Sequence, residues 1–134
     1  MLDSSVALTW CFPKQRAELS AKALALLEKG GLAVVPDLWA LEVTNVLARA
    51  AREKWLTAAK ADEFVELLLM LPLRFEAMPA ERALGEVRAL AQTAGISAYD
   101  ATFLELAGRL GLPLATLDTS LARAAKKSGV ELLA

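Results

Sequence analysis

The sequence predicts an α/β fold: a three-layer α/β/α domain in which helices cover a central, mostly parallel sheet of about five strands. Two observations carry this expectation. Short apolar runs alternate with longer stretches whose apolar residues recur at helical spacing, the pattern of βα units feeding a parallel sheet. The chain has 134 residues, 56% hydrophobic and 23% charged, which suits one core and its cover. No internal repeat or linker divides it, so residues 1–134 are expected to form a single domain.

Each element has its own signal. Met1 and Leu2 close a short first strand, and a helix follows Asp3-Ser4-Ser5. From about Lys14 to Lys29, Leu19, Ala23, Leu26 and Leu27 share a helical face, and Gly30-Gly31 stops the helix. Leu32 to Val35 is a buried-strand candidate ending at Pro36-Asp37. Beyond it, Leu38, Leu41, Val46, Leu47 and Ala50 mark the inner face of a helix with Asp37 as its expected N-cap. Lys54-Trp55-Leu56-Thr57 breaks that helix and forms a local hinge. Thr57 can cap the next one, whose stripe of Phe64, Leu67, Leu68 and Leu71 ends at Pro72. Leu73 to Ala77 is a strand candidate, and Pro79 suits the first turn of a helix running to Ala94, capped by Gly95. Ser97 opens a helix through Phe103, Leu106, Ala107 and Leu110, closed by Gly111. Leu114 to Leu117 reads as a buried strand, Asp118 to Lys127 as a short helix, and Val130 to Leu133 as the last strand.

Histidine is absent. That excludes a Ser-His-Asp triad, a Cys-His pair, an imidazole-driven ribonuclease and a histidine-rich zinc site. Any chemistry must run on carboxylates, hydroxyls, lysine, tyrosine, or metal ions held by oxygen. A net charge of −1 argues against a surface that holds nucleic acid everywhere through counterion release, and leaves room for a local basic patch or bound cations. A single cysteine, Cys11, rules out a disulfide framework and reads as a buried small hydrophobe in a reducing compartment. No signal-like start and no apolar run of bilayer length are present, so the expected location is cytoplasmic, with no membrane span.

Ligands of an open parallel sheet gather beyond the carboxyl ends of its strands. Asp3 and Asp118 fall at two such ends, although each also suits a helix N-cap. Glu42 lies among Leu38, Leu41, Val43, Val46 and Leu47, with Asn45 beside it on the helix, or else it snorkels to water at the core's edge. Asp100 in Ser97-Ala98-Tyr99-Asp100 fits a capping box as well as a site. Taken together, the βα reading brings all four acids to one crevice. Two like charges ~4 Å apart repel by ~4 kcal/mol at an effective dielectric near ~20, so such a cluster needs cations or protons. Hard divalent ions are the natural partners: magnesium takes oxygen ligands and keeps several waters, and manganese suits the same ligands. Phosphodiester chemistry without imidazole follows from such ions.

Four pieces of the chain, in order, resemble the PIN domain family and, within it, the VapC-type toxins of bacterial and archaeal toxin–antitoxin pairs. They are Leu2-Asp3-Ser4-Ser5-Val6-Ala7-Leu8; Val35-Pro36 with Trp39 and Glu42-Val43-Thr44-Asn45-Val46-Leu47; Ser97-Ala98-Tyr99-Asp100-Ala101; and Pro113-Leu114-Ala115-Thr116-Leu117-Asp118 with Leu121-Ala122. The resemblance implies a PIN-like domain acting as a magnesium-dependent endoribonuclease on a structured or translational RNA. It implies Asp3, Glu42, Asp100 and Asp118 as catalytic, metal-holding acids, with Ser5, Thr116 and Asn45 in support, Asn45 orienting the glutamate. It also implies a homodimer held inactive by a cognate VapB-like antitoxin. A PIN-type nuclease of RNA maturation or of DNA, and a noncatalytic PIN-like dimerisation or interaction domain, are the alternatives. An aspartyl-phosphate phosphatase fits poorly, because Ser5 stands two positions after Asp3.

Three departures from the family pattern stand out. Only Met1 and Leu2 precede Asp3, so the first strand is short or the true start lies upstream. Thr119 occupies a position where some relatives carry another acid, which weakens the expectation of a second metal. Pro13-Lys14-Gln15-Arg16 is basic where many relatives are acidic. For substrate contacts, Arg49, Arg52 and Lys54, or Arg123, Lys126 and Lys127, are candidates for phosphate binding or plain solvated helix faces. Trp10, Trp39 and Trp55 are candidates for base stacking or, Trp39 above all, for core and dimer packing.

Overall fold

A computed structural model describes residues 1–15 and 17–134. Arg16, part of the basic stretch noted above, lies outside the described residues. The helices are α1 (Ser4–Cys11), α2 (Glu18–Glu28), α3 (Leu38–Arg52), α4 (Ala58–Met70), α5 (Ala80–Arg82), α6 (Arg88–Ala94), α7 (Ala98–Leu110) and α8 (Thr119–Lys127). The strands are β1 (Ala33–Pro36) and β2 (Leu73–Glu76).

β1 and β2 pair in parallel, with Ala33 opposite Leu73 and Pro36 opposite Glu76. The remaining three predicted strands are reduced to single rungs. The Leu2 amide donates to the Val34 carbonyl at 3.1 Å, and Leu2 bridges Ala115 in parallel. Ala115 donates to Met1 and receives from Asp3, both at 2.9 Å. Leu114 in turn bridges Leu132, again in parallel. The sheet therefore runs β2, β1, the Leu2 segment, the Leu114-Ala115 segment and the Leu132 segment. The ladders beyond β1 are short for local reasons: Ser4 already begins α1, and Pro113 has no amide to give.

The core explains why these helices cover that sheet. All four residues of β1 are buried. Val6, Phe103, Leu104, Leu106, Leu114 and Leu121 pack with it from α1, α7, the fourth segment and α8. Trp39, 3% exposed, meets Phe75 edge-on with ring centroids 6.2 Å apart, joining α3 to β2. The Trp10 indole donates to the Ser20 carbonyl at 3.0 Å, tying α1 to α2.

Several expectations are corrected. The helix expected from Lys14 starts only at Glu18, after a 3₁₀ turn at Pro13–Gln15; the Ser20 hydroxyl accepts from the Ala17 amide at 3.1 Å and sets the later start. Leu41 is 72% exposed, because the buried stripe of α3 is Trp39, Val43, Leu47 and Ala50, and position 41 lies on the opposite side. Asp37 makes no cap bond: its backbone is already helical, and its amide donates to the Glu76 carbonyl as the end of the β1 ladder. Thr57 does cap α4, accepting from the Lys60 amide at 3.3 Å. The helix from Pro79 to Ala94 is interrupted by a π turn over Ala83–Val87, and Gly95 ends it in the left-handed conformation. Cys11 is half-buried against the core, and that burial pushes its thiol pKa up.

Candidate active site

The short central rung delivers Asp3 to the carboxyl edge of the sheet and turns at once into α1. Asp3 is 6% exposed and, although it occupies the N-cap position, its side chain makes no capping bond. Its carboxylate is held instead by hydroxyls. Oδ2 accepts from the Ser5 hydroxyl, and from the Thr116 hydroxyl at 2.7 Å. Both hydroxyls also accept backbone amides: Ser5 from Leu117 and Thr116 from Asp118, each at 3.0 Å. Each of the two hydroxyls therefore links Asp3 to the loop that carries Asp118, fixing both at once.

Ser4 joins the third acid. Its hydroxyl donates to Glu42 Oε2 at 2.8 Å and lies 3.4 Å from Asp3 Oδ1. Asp118 caps α8, with Oδ1 accepting from the Leu121 amide at 2.7 Å. Asp100 sits in the first turn of α7, where its amide donates to the Ser97 hydroxyl at 3.0 Å. Only that half of the capping box forms, so the Asp100 carboxylate is not consumed in capping.

The electrostatics bind these groups together. Burial raises the pKa of Glu42; the Ser4 hydrogen bond pulls it down, and the charges of Asp3 and Asp100 push it up again. Burial likewise raises Asp100, reinforced by Asp118, opposed by the Ser97 hydroxyl and reinforced by Asp3. Among the described residues no lysine or arginine pairs with any of the four acids; the ion pairs lie at Lys60–Glu63, Arg74–Glu76, Arg82–Glu86, and Arg82 and Arg109 with Glu105. Also among the described residues, no three carboxylates close into a ready-made metal cage. Charge repulsion thus reaches Glu42 from Asp3 and Asp100, and Asp100 from Asp118 and Asp3.

A family model described as PIN domain matches residues 1–127. The chain belongs to the PIN domain family. It is 30% identical over 122 residues to a protein named Ribonuclease VapC3 from Pyrobaculum aerophilum, covering 91% of each chain. It also resembles the crystal structure of PAE2754 from Pyrobaculum aerophilum, with TM-score 0.61 and 22% identity, covering 92% of this chain and 82% of the other; that likeness concerns the fold.

Within this PIN domain, the donor set fits a hard divalent cation. All the candidate ligands are oxygens, the acids lack a cationic partner among the described residues, and magnesium needs only one or two carboxylates beside its waters. Asp3 and Glu42, brought together by Ser4, are the natural pair. Sequence reasoning passed over Ser4, although it stands between two residues it singled out; no periodicity marks a hydroxyl that acts across the fold. Asn45 is corrected: it is exposed and makes no hydrogen bond to Glu42, whose partner is Ser4. Trp39 is core, Trp10 is half-buried, and Trp55 is exposed. Among the described residues no helix of this PIN domain is long and apolar enough to cross a membrane.

Proposed function

We propose that this PIN domain is a magnesium-dependent endoribonuclease of the VapC type, the toxin of a pair with a VapB-like antitoxin, acting as a cytoplasmic homodimer. Manganese is expected to substitute for magnesium. The observation that carries this reading is Asp3: a buried carboxylate kept out of its cap and held by Ser5 and Thr116 beside Glu42. Its support is the likeness to a protein named a ribonuclease.

Asp3 and Glu42 would hold the metal, and the Asp118 oxygen not used in capping α8 would be free to join them. When bound, the cation supplies charge neutralisation and Lewis-acid assistance to phosphodiester hydrolysis. The protein's own groups do the rest. Ser5 and Thr116 orient Asp3, Ser4 orients Glu42, and the capped α8 holds Asp118 in place. Asp100, with its raised proton affinity, is suited to take the proton lost as water adds to phosphorus and to return it to the leaving oxygen as the P–O bond breaks. The test is RNA cleavage with Mg²⁺ and binding of Mn²⁺ by the parent and by Asp3→Asn and Asp118→Asn. The variants are expected to lose both; if they retain both at parental levels, the acidic site is misassigned. Growth arrest on expression, relieved by a co-expressed neighbouring reading frame, separates a toxin from a maturation enzyme.

One observation favours a second reading, a noncatalytic interaction domain: Leu41, Leu69 and Met70 are large apolar side chains left 72%, 82% and 85% exposed. That reading predicts a stable dimer with no calorimetric signal for Mg²⁺ or Mn²⁺ at millimolar concentration.

A further inference from the structure

An open groove of about 600 Å³ is lined by Ser5 and Asp118 of the acidic site together with Thr9, Phe12, Val46 and Trp55. We propose that this groove binds a single-stranded stretch of RNA beside the cleaved bond, with the Trp55 indole, backed by Arg49, stacking on one unpaired base. The inference rests on the ribonuclease reading above.

A lone exposed aromatic needs no explanation. Trp55 differs in what surrounds it. It is 58% exposed, so its ring is open to a ligand, and the Arg49 guanidinium stands over that ring, 5.3 Å from the centroid. The chain is also bent to put it there. Lys54 has φ +59°, the one left-handed non-glycine among the described residues. The Trp55 amide donates to the Ala50 carbonyl at 2.9 Å and the Lys54 amide to Ala51 at 3.2 Å, the paired bonds that close a helix at a position where glycine is the usual occupant. A lysine held in that conformation carries a steric cost that the helix end retains, and such retained strain points to use.

The arrangement matches the chemistry of an unpaired strand. Bases present π-faces that stack on an indole whatever their identity, and the phosphates between them pair with cations such as Arg49. Trp55 lines the same groove as Asp118 and Ser5, so a strand with one base on Trp55 lies beside the place where the proposed hydrolysis occurs. A duplex cannot offer a free base face, so selectivity for single strands follows.

The test compares binding of a labelled single-stranded oligoribonucleotide, by fluorescence anisotropy in Mg²⁺, to proteins that all carry Asp3→Asn so that the strand is not consumed. Adding Trp55→Ala is expected to weaken binding about tenfold or more, and Trp55→Phe to recover most of it. Arg49→Gln should lower the salt dependence by about one phosphate contact. In the otherwise unaltered enzyme, Trp55→Ala should raise KM for RNA with little change in kcat. Parental affinity in Trp55→Ala, with the unaltered enzyme still cleaving RNA, overturns this inference alone. A chain that neither binds nor cleaves RNA overturns it together with the ribonuclease reading. Undiminished RNA affinity in Trp55→Ala with loss of a co-purifying protein would make the groove a protein site and likewise overturn the inference.

Discussion

The Ser4 hydroxyl donates to Glu42 Oε2 across 2.8 Å, joining the first residue of α1 to the middle of α3. That bond favours the ionised glutamate against the burial and the neighbouring charges that oppose it. Ser4→Ala removes it and sends the glutamate pKa higher still. The acidic limb of the RNA-cleavage pH profile should therefore move to higher pH, with the neutral-pH rate falling about tenfold and stability by ~1 kcal/mol. Steady-state rates across pH, with a thermal melt, check this.

Asp3→Asn separates folding from chemistry. The amide has nearly the volume of the carboxylate, and its carbonyl oxygen can still accept from Ser5 and Thr116. The melt should stay within ~1 kcal/mol of the parent, while cleavage falls at least ~10²-fold with the loss of an anionic ligand. A cleavage assay on protein of verified circular dichroism decides it.

Asp118 has two duties that two substitutions can part. Asn caps a helix as well as Asp, so Asp118→Asn should keep α8 and its stability while losing charge at the site. Asp118→Ala loses both, costing a further ~1 kcal/mol by thermal or urea melting.

Glu42 and Asp100 also predict how charge relief acts on stability. A carboxyl whose folded pKa is raised adds stability that is full below its unfolded pKa and is lost as pH rises through the folded value. The folded protein therefore carries this strain at neutral pH, above the ordinary carboxylate range. Asp100→Asn should melt a few degrees higher than the parent in metal-free buffer at neutral pH, and the gain should vanish as pH falls below that range. Added Mg²⁺ should raise the parent's melting temperature more than the variant's.

The layers of the fold were legible because burial imposes period. Phe103, Leu106 and Ala107 announce α7, and the five strand segments stand where short apolar runs stand. The acids were singled out for another reason, their element positions, and the structure ties Asp3 to Glu42 through Ser4 and to the Asp118 loop through Ser5 and Thr116. What acts between distant segments left no trace. The Ser4–Glu42 bond spans 38 positions, and no local pattern distinguishes Ser4 from Asn45 as the partner of Glu42. The π turn, and the exposure of Leu41, depend on how a helix is rotated against its neighbours, which a run of hydrophobic residues underdetermines.

The π turn at Ala83–Val87 precedes α6, and Arg82 just before it reaches α7. Its guanidinium meets Glu105 Oε1 at 2.9 Å, where Arg109 Nε also donates at 2.8 Å to a side chain 8% exposed. Glu105→Ala leaves both arginines without that carboxylate and should cost ~2 kcal/mol, discounted from a fully buried pair because each arginine is partly in water. The winding itself sets the alignment. Rewinding Ala83–Val87 as an ordinary 3.6-residue helix with every residue kept would swing Arg82 about 100° around its axis. The helix carrying Asp100 would lose its outer clasp with every side chain of that clasp still encoded.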